Sequence, residues 1–156
     1  MWVFVTFDFS MCFLHKFSWK LLETLREKVP DVPFHILLCG ANAMGYTNYT
    51  NNAVCKFCKQ TYKSGVEVLR VFNSINYIEN LKLGIDAAGS RGGFVEGTLS
   101  YMWGVLDPNN GKYDIEFYIN LVIYLANMGV HSLSVKYMEL FLNLPAATIL
   151  VSVLSK

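Results

Sequence analysis

Lys136 closes an apolar run, VHSLSVK (130–136), and is the most informative single residue in the chain. An ammonium at the end of such a run is poorly solvated, and desolvation favours the neutral, nucleophilic amine. A neutral amine can form a Schiff base, or accept CO2 as a carbamate whose oxygens bind a metal ion. The plainer reading lets the ammonium reach the rim along its flexible stem and titrate normally. Buried unpaired lysines are uncommon, so composition alone favours the plainer reading.

The other reactive groups form no catalytic constellation. Cys39 ends a second apolar run, FHILLC (34–39), and offers a thiol. Glu96 lies within FVEGTLSY (94–101), where it is either an inward-facing buried acid or a member of a polar interface. Cys55 and Cys58 form a CxxC pair, but their segment reads as a helix and no second pair matches it. Two thiols on a helix face are expected there, rather than zinc or redox chemistry. With Cys12 and Cys39 they make four cysteines, too sparse for a disulfide scaffold and expected to be reduced. His15, His35 and His131 show no ligand spacing such as HxxxH or HxH. His35 and His131 fall early in strands, so structural roles are expected, and no Ser-His-Asp arrangement can be assembled. Asn48-Tyr49-Thr50 is a formal glycosylation sequon, to which no role is assigned because no secretory leader precedes it.

These residues sit in 156 residues that are 53% apolar and only 16% charged, with a net charge of +1. Such a chain has ample material to offset its ordering entropy, which excludes disorder. The near-neutral balance gives no electrostatic grip on nucleic acid or anionic lipid, and neither is expected as a partner. No uncharged apolar run is long enough for a bilayer-spanning helix. The opening MWVFVTFDFSMCFL lacks a basic leader and a small-residue cleavage site, and Asp8 interrupts it. It reads as part of a fold, and a start directly on core-like residues is expected to enter partway into a domain.

What positions the reactive groups is an alternation of short strands and longer helices. FHILLC (34–39), VEVLRVF (66–72), FVEGTLSY (94–101) and VHSLSVK (130–136) read as strands. Residues 18–28, 52–63 and 114–128 carry apolar residues at helical spacing. Gly65 and Gly129 stand where a helix should end, and Asp107-Pro108-Asn109-Asn110-Gly111 reads as a turn. Gly89-Ser90-Arg91-Gly92-Gly93 follows a helix and precedes a strand, the wrong end for phosphate binding, and reads as a plain αβ turn. Strand starts about 30 residues apart imply parallel βα units. A (β/α)8 barrel and an open doubly wound sheet both satisfy the pattern. Neither GxGxxG nor a GxxxxGK[ST] loop occurs, which removes support for the nucleotide-binding sheets. The expected fold class is therefore α/β: a partial TIM-type (β/α)8 barrel of about four to five βα units. Its mouth lies at the strand C-terminal ends. Those ends hold Cys39-Gly40-Ala41-Asn42, Asn73-Ser74, Tyr101-Met102-Trp103-Gly104 and Lys136-Tyr137, one cation and one thiol without a carboxylate.

GANAMGYTNY (40–49), VLRVFNSINYIENLKLGIDAAGS (68–90) and Lys136-Tyr137-Met138 resemble the carboxyltransferase domain of pyruvate carboxylase in its animal form. WVFVTFDFSMCFL (2–14), SWKLLETLREKVPDVPF (18–34) and KYDIEFY (112–118) align with the same domain, so the likeness covers essentially all 156 residues. Related biotin-dependent decarboxylases carry a distinguishable version of the GANA-GYTNY stretch. The resemblance implies a domain that transfers a carboxyl group from carboxybiotin to the enolate of pyruvate, giving oxaloacetate. It further implies a divalent metal such as Mn2+ or Zn2+, held by an Asp on the first barrel strand, a carboxylated lysine and a later His-x-His pair. Lys136 falls on that lysine, and biotin belongs to another domain.

The resemblance also marks departures. The first-strand Asp and the His-x-His pair are absent from this sequence. Cys39 occupies the position of an Arg that binds the substrate carboxylate bidentately. Asn73 replaces an Asp, Met102-Trp103-Gly104 replaces Thr-Gly-Asp, Tyr137 replaces an Asp, and Glu139-Leu140 replaces Ala-Gly. Residues 1–156 are therefore expected to be a partial, degenerate carboxyltransferase domain without biotin carboxylase or biotinyl domains. Bound alone, this chain is expected to hold neither metal nor biotin and to be inactive, with pyruvate and carboxybiotin as partners in the family only. The alternative is a non-catalytic fragment that acts, if at all, as an interaction module. Half a barrel is expected to oligomerise through its uncovered surface. Family resemblance points to the mitochondrial matrix; the lack of a transit-like leader leaves the cytoplasm as the other reading.

Overall fold

Four strands hydrogen-bond into one parallel sheet whose spatial order repeats their order in the sequence. They are β1 (His35–Leu38), β2 (Val68–Phe72), β3 (Phe94–Tyr101) and β4 (Ser132–Tyr137). The computed structural model describes residues 10–43, 45, 47–90, 92–101, 112–138 and 144–154. Each crossover is a helix: α2 (Asn51–Lys63), α3 (Ile78–Gly89) and α4 (Ile115–Asn127), with α1 (Ser18–Lys28) before β1 and α5 (Leu144–Leu154) after β4. A doubly wound sheet must reverse direction at a switch point. An order of 1-2-3-4 without reversal is that of a barrel wall, so the open-sheet alternative falls and four βα units of the expected barrel stand.

The two faces of this wall differ in chemistry. On the helix-covered face Ile36, Leu38, Leu69, Val71, Val95 and Leu99 are buried to 0–1% exposure. They pack with Val54 and Cys58 of α2, Leu81 and Ile85 of α3, and Tyr118 and Leu125 of α4. Full burial of a side chain of this size is worth about 1.5–3 kcal/mol, so this layer carries the fold. Parallel register sets the other face in rows: Leu37, Arg70, Glu96 and Ser132; then Phe72, Thr98 and Ser134; then Ser100 and Lys136. Barrel interiors are usually layered with branched apolar residues. Here the inward rows are mostly polar, and Thr98 and Ser134 hydrogen-bond through their hydroxyls at 2.8 Å.

Strand and helix ends differ from expectation by one or two residues, for local reasons. Gly65 and Gly129 do end α2 and α4 with positive φ, +93° and +78°. β2 begins at Val68; just before it the Glu67 carboxylate pairs with Arg26 at 2.5 Å and accepts from the Phe34 N–H at 2.6 Å. The Arg26 guanidinium also lies 4.0 Å over the Phe34 ring and donates to the Gly65 carbonyl, tying α1 to the strand starts. β4 begins at Ser132 because His131 pairs with Val95 through its ring: the Val95 N–H donates to Nδ1, and the His131 N–H donates back to the Val95 carbonyl. No described helix is long and apolar enough to cross a membrane.

Candidate functional site at the strand C-terminal ends

The chain leaves β1 through Cys39 into a single 3-10 turn, Gly40–Asn42. Gly40 has φ +52°, and a Cβ there would fall 1.6 Å from Asn80 Oδ1. Asn80 reaches over from α3, accepting from the Ala41 N–H at 2.9 Å and donating to Asn42 Oδ1 at 3.4 Å. Gly84, one turn further along α3, brings the helix backbone against Gly40; a Cβ on Gly84 would lie 3.1 Å from the Gly40 Cα. Residues 40–42 are thus seated on α3 by two close backbone approaches and one amide side chain.

The loop after β2 is fixed in a similar way. Asn73 Oδ1 accepts from the N–H groups of Ile75 and Tyr77, and its carbonyl accepts from Ser100 Oγ at 2.6 Å. Asn76 is buried with φ +55°, a conformation that Asn tolerates, and both ends of its amide bond the Ser100 backbone at 2.7 Å. Ser100 is the ladder partner of Lys136. The β2–α3 loop is consequently pinned to β3 beside the lysine.

Cys39, Asn42, Gly45, Phe72, Asn73 and Ser74 line a cleft of about 250 Å3 at this end of the sheet. Lys136 Nζ lies 3.6 Å from the Phe72 ring centroid, within reach of a cation–π contact. Burial pushes the Cys39 thiol above its usual 9.0, and the positive charge of Lys136 opposes that shift. The structure therefore brings Cys39 and Lys136 to one mouth with Phe72 and Asn73. Tyr137 does not join them: it turns to the helix-covered face and stacks on Tyr101, with ring centroids 5.5 Å apart. Met102-Trp103-Gly104, Asp107–Gly111 and Glu139-Leu140 lie outside the described residues.

Glu96 belongs to the opposite end of the inward face, four residues before Ser100 and so about 13 Å from the mouth. There Arg70 Nε donates to Glu96 Oε2 at 2.6 Å and a second guanidinium nitrogen donates to Oε1 at 3.1 Å. His35 Nε2 sits 3.0 Å from Oε2 without hydrogen-bond alignment. Burial, then the neighbouring Arg70 charge, lowers the His35 pKa below 6.5 while Glu96 pulls it up. Glu96 faces inward with its side chain 13% exposed, as one expectation had it, and is ion-paired at the centre of a polar cluster, as the other had it. Cys58 lies away from the mouth on α2, its thiol pushed up to about 12 by burial and by nearby Cys55. His15 stands in the loop before α1.

Sequence reasoning missed Phe72, Asn76 and Asn80. A signal for Phe72 existed: strand parity places it on the same face as Lys136, two strands away across β3. The two asparagines act through backbone contacts that no spacing announces. No group of three or more His, Cys, Asp or Glu able to hold a metal occurs among the described residues. Among the described residues around Lys136 the donors are an ammonium laid on an aromatic ring, a thiol held protonated and neutral amides. That set does not fit a divalent cation, which needs anionic oxygens or several nitrogen and sulfur ligands.

A singly wound parallel wall with helices on its outer face and a cleft at the strand C-terminal ends is the architecture of a (β/α)8-barrel domain. The relatives make this particular. Mitochondrial pyruvate carboxylase of Mus musculus is 48% identical over 151 residues, 97% of this chain and 13% of that protein. The human enzyme is 47% identical over the same length, and pyruvate carboxylase of Bacillus subtilis is 40% identical over 156 residues. The carboxyl transferase domain from Rhizobium etli pyruvate carboxylase, solved with pyruvate and biocytin, superposes with a TM-score of 0.93 at 37% identity, covering 99% of this chain and 26% of that one. No family model matches the sequence. The chain is homologous to part of the carboxyltransferase domain of pyruvate carboxylase, and it spans about an eighth of the length of the curated relatives.

Proposed function

We propose that this chain keeps the wall of a pyruvate carboxyltransferase barrel without the groups that transfer a carboxyl group to pyruvate, and that it is inactive by itself. The observation that carries this reading is the Lys136 ammonium resting 3.6 Å over the Phe72 ring. Lys136 occupies the position of the family's carboxylated lysine. The negative face of an aromatic ring attracts an ammonium and repels the anionic carbamate that would replace it. Cys39 compounds the loss, because a neutral thiol cannot clamp a carboxylate as a guanidinium fork does. Truncating one partner of such a buried pair costs about 2–5 kcal/mol. Asn73, by contrast, spends its side-chain oxygen on the turn after β2, which an Asp would satisfy equally.

Biotin and a divalent metal such as Mn2+ or Zn2+ belong, in this reading, to the complete family site and not to this chain. The mitochondrial relatives support a matrix location, while the Bacillus subtilis relative carries the same segment outside any such compartment. A second reading, a non-catalytic segment that works through its surface, is favoured by the unpaired outer edges of β1 and β4 in the described sheet. Oligomerisation through that uncovered barrel surface belongs to this second reading.

The test is oxaloacetate decarboxylation, the partial reverse reaction, measured on the full chain with Mn2+ or Zn2+ and free biotin. Pyruvate release is expected to stay at the rate that metal and biotin give without protein. Biotin-stimulated turnover that Lys136→Ala abolishes would overturn the proposal.

A further inference from the structure

We infer that Asn76 is a positioning residue for Lys136: its side-chain amide continues the β2–β3 ladder past the end of β2 and so keeps the Phe72 ring against the Lys136 ammonium. The inference rests on the contact that carries the proposed function and names what holds that contact in place. The β2–β3 ladder ends at the pair Phe72 and Thr98, whereas β3 and β4 stay paired through Ser100 and Lys136 to Tyr101 and Tyr137. Beyond Phe72, β3 has therefore lost its β2 neighbour while it still supports Lys136. Asn76 fills that gap. The Ser100 N–H donates to Asn76 Oδ1, and Asn76 Nδ2 donates to the Ser100 carbonyl, both at 2.7 Å. One side-chain amide thus satisfies both backbone groups that a longer β2 would have met.

The residue type follows from these demands. The site needs a donor and an acceptor in one planar group, and a backbone that accepts φ +55°. Asn meets both; Asp lacks the donor, and Gly tolerates the backbone angle but has no amide. Asn76 is also buried, at 5% exposure, so water cannot replace its bonds. The clamp reaches Lys136 through Phe72. Lys136 stands on β4 and Phe72 on β2, so the lysine side chain crosses β3 to bring Nζ to 3.6 Å from the ring centroid. It crosses at Thr98 and Ser100, two small residues that are 0% exposed. Phe72 is the last residue of β2, directly before a loop that Asn76 and the Ser100 hydroxyl tie to β3. Without the Asn76 amide that loop is held to Ser100 by the hydroxyl alone, and the ring is free to leave the ammonium.

Proton NMR of the full chain tests this, because lysine ε-methylene protons held over a ring face resonate upfield of those in water. The Lys136 signal is identified by its absence in Lys136→Ala. It is expected upfield in the unaltered chain, at the ordinary lysine position in Asn76→Gly, and in between in Asn76→Asp, which keeps the acceptor for the Ser100 N–H. Leu22→Val loosens packing under α1, away from the mouth, and should leave the signal upfield; a merely structural Asn76 would behave in the same way. Circular dichroism checks that the variants keep the fold. An upfield signal that persists in folded Asn76→Gly would overturn the inference. Should Asn76→Gly fail to fold, an unchanged signal in Asn76→Asp would overturn it equally. A Lys136 signal at the ordinary position in the unaltered chain would instead remove the contact with Phe72 itself, and the proposed function's main support with it.

Discussion

Lys136 and His35 mark the two ends of one inward-facing surface, and their surroundings set what each can do. Lys136 is held by an aromatic face, which suits a cation. His35 is buried beside Arg70, and these two influences outweigh the attraction of Glu96, so its pKa lies below 6.5. A base whose folded pKa is depressed binds fewer protons when folded than when unfolded. Stability is then fully present above 6.5 and falls as pH drops below it, because the unfolded chain takes up the proton first. Melting temperature is expected to fall between about pH 7.5 and about pH 5, and to fall less in His35→Gln, which cannot titrate. Equal pH dependence in both proteins would remove His35 as a cause. The place of Lys136 at a strand end was readable in the sequence. Strand parity put Phe72 on the same face, but its approach to Lys136 follows only from strand register, since the two are distant in sequence.

At the scale of elements, the seating of the Gly40–Asn42 turn on α3 decides where the mouth lies. Gly84→Ala tests it with two opposed effects. Alanine gains up to about 1 kcal/mol of helix propensity over glycine. Against that, its Cβ would meet Val71 Cγ1 at 2.7 Å and the Gly40 Cα at 3.1 Å. Backbone cannot swing aside as a side-chain tip can, so overpacking of about 1–3 kcal/mol should win and the variant should be net less stable in urea unfolding. A more stable variant would show that α3 and the turn are loosely packed. The elements themselves were legible because apolar residues recur with helical and strand periods, and because glycine ends α2 and α4. Strand starts were displaced by one or two residues where side chains such as Glu67 and His131 take over backbone roles, which periodicity does not report.

The whole molecule is a wall without its remaining staves among the described residues, and this limits its chemistry more than any single substitution. The βα alternation left a barrel and a doubly wound sheet both open; the missing nucleotide-binding loops favoured the barrel, and the unreversed strand order agrees. The site was less legible, because a barrel mouth is assembled from strand tips far apart in sequence, and not every reactive residue named in advance joins it. Glu96 pairs with Arg70 at the other end of the inward face, and Tyr137 turns to the helices. Among the described residues, Cys39, Asn42, Asn73, Ser74 and Lys136 are the strand tips that meet, with no carboxylate among them.

Equilibrium dialysis of the full chain against Mn2+ in bicarbonate buffer, alongside Lys136→Ala, tests this most directly. The predicted result is no saturable Mn2+ site that depends on Lys136. One Mn2+ bound per chain, and lost on Lys136→Ala, would contradict it.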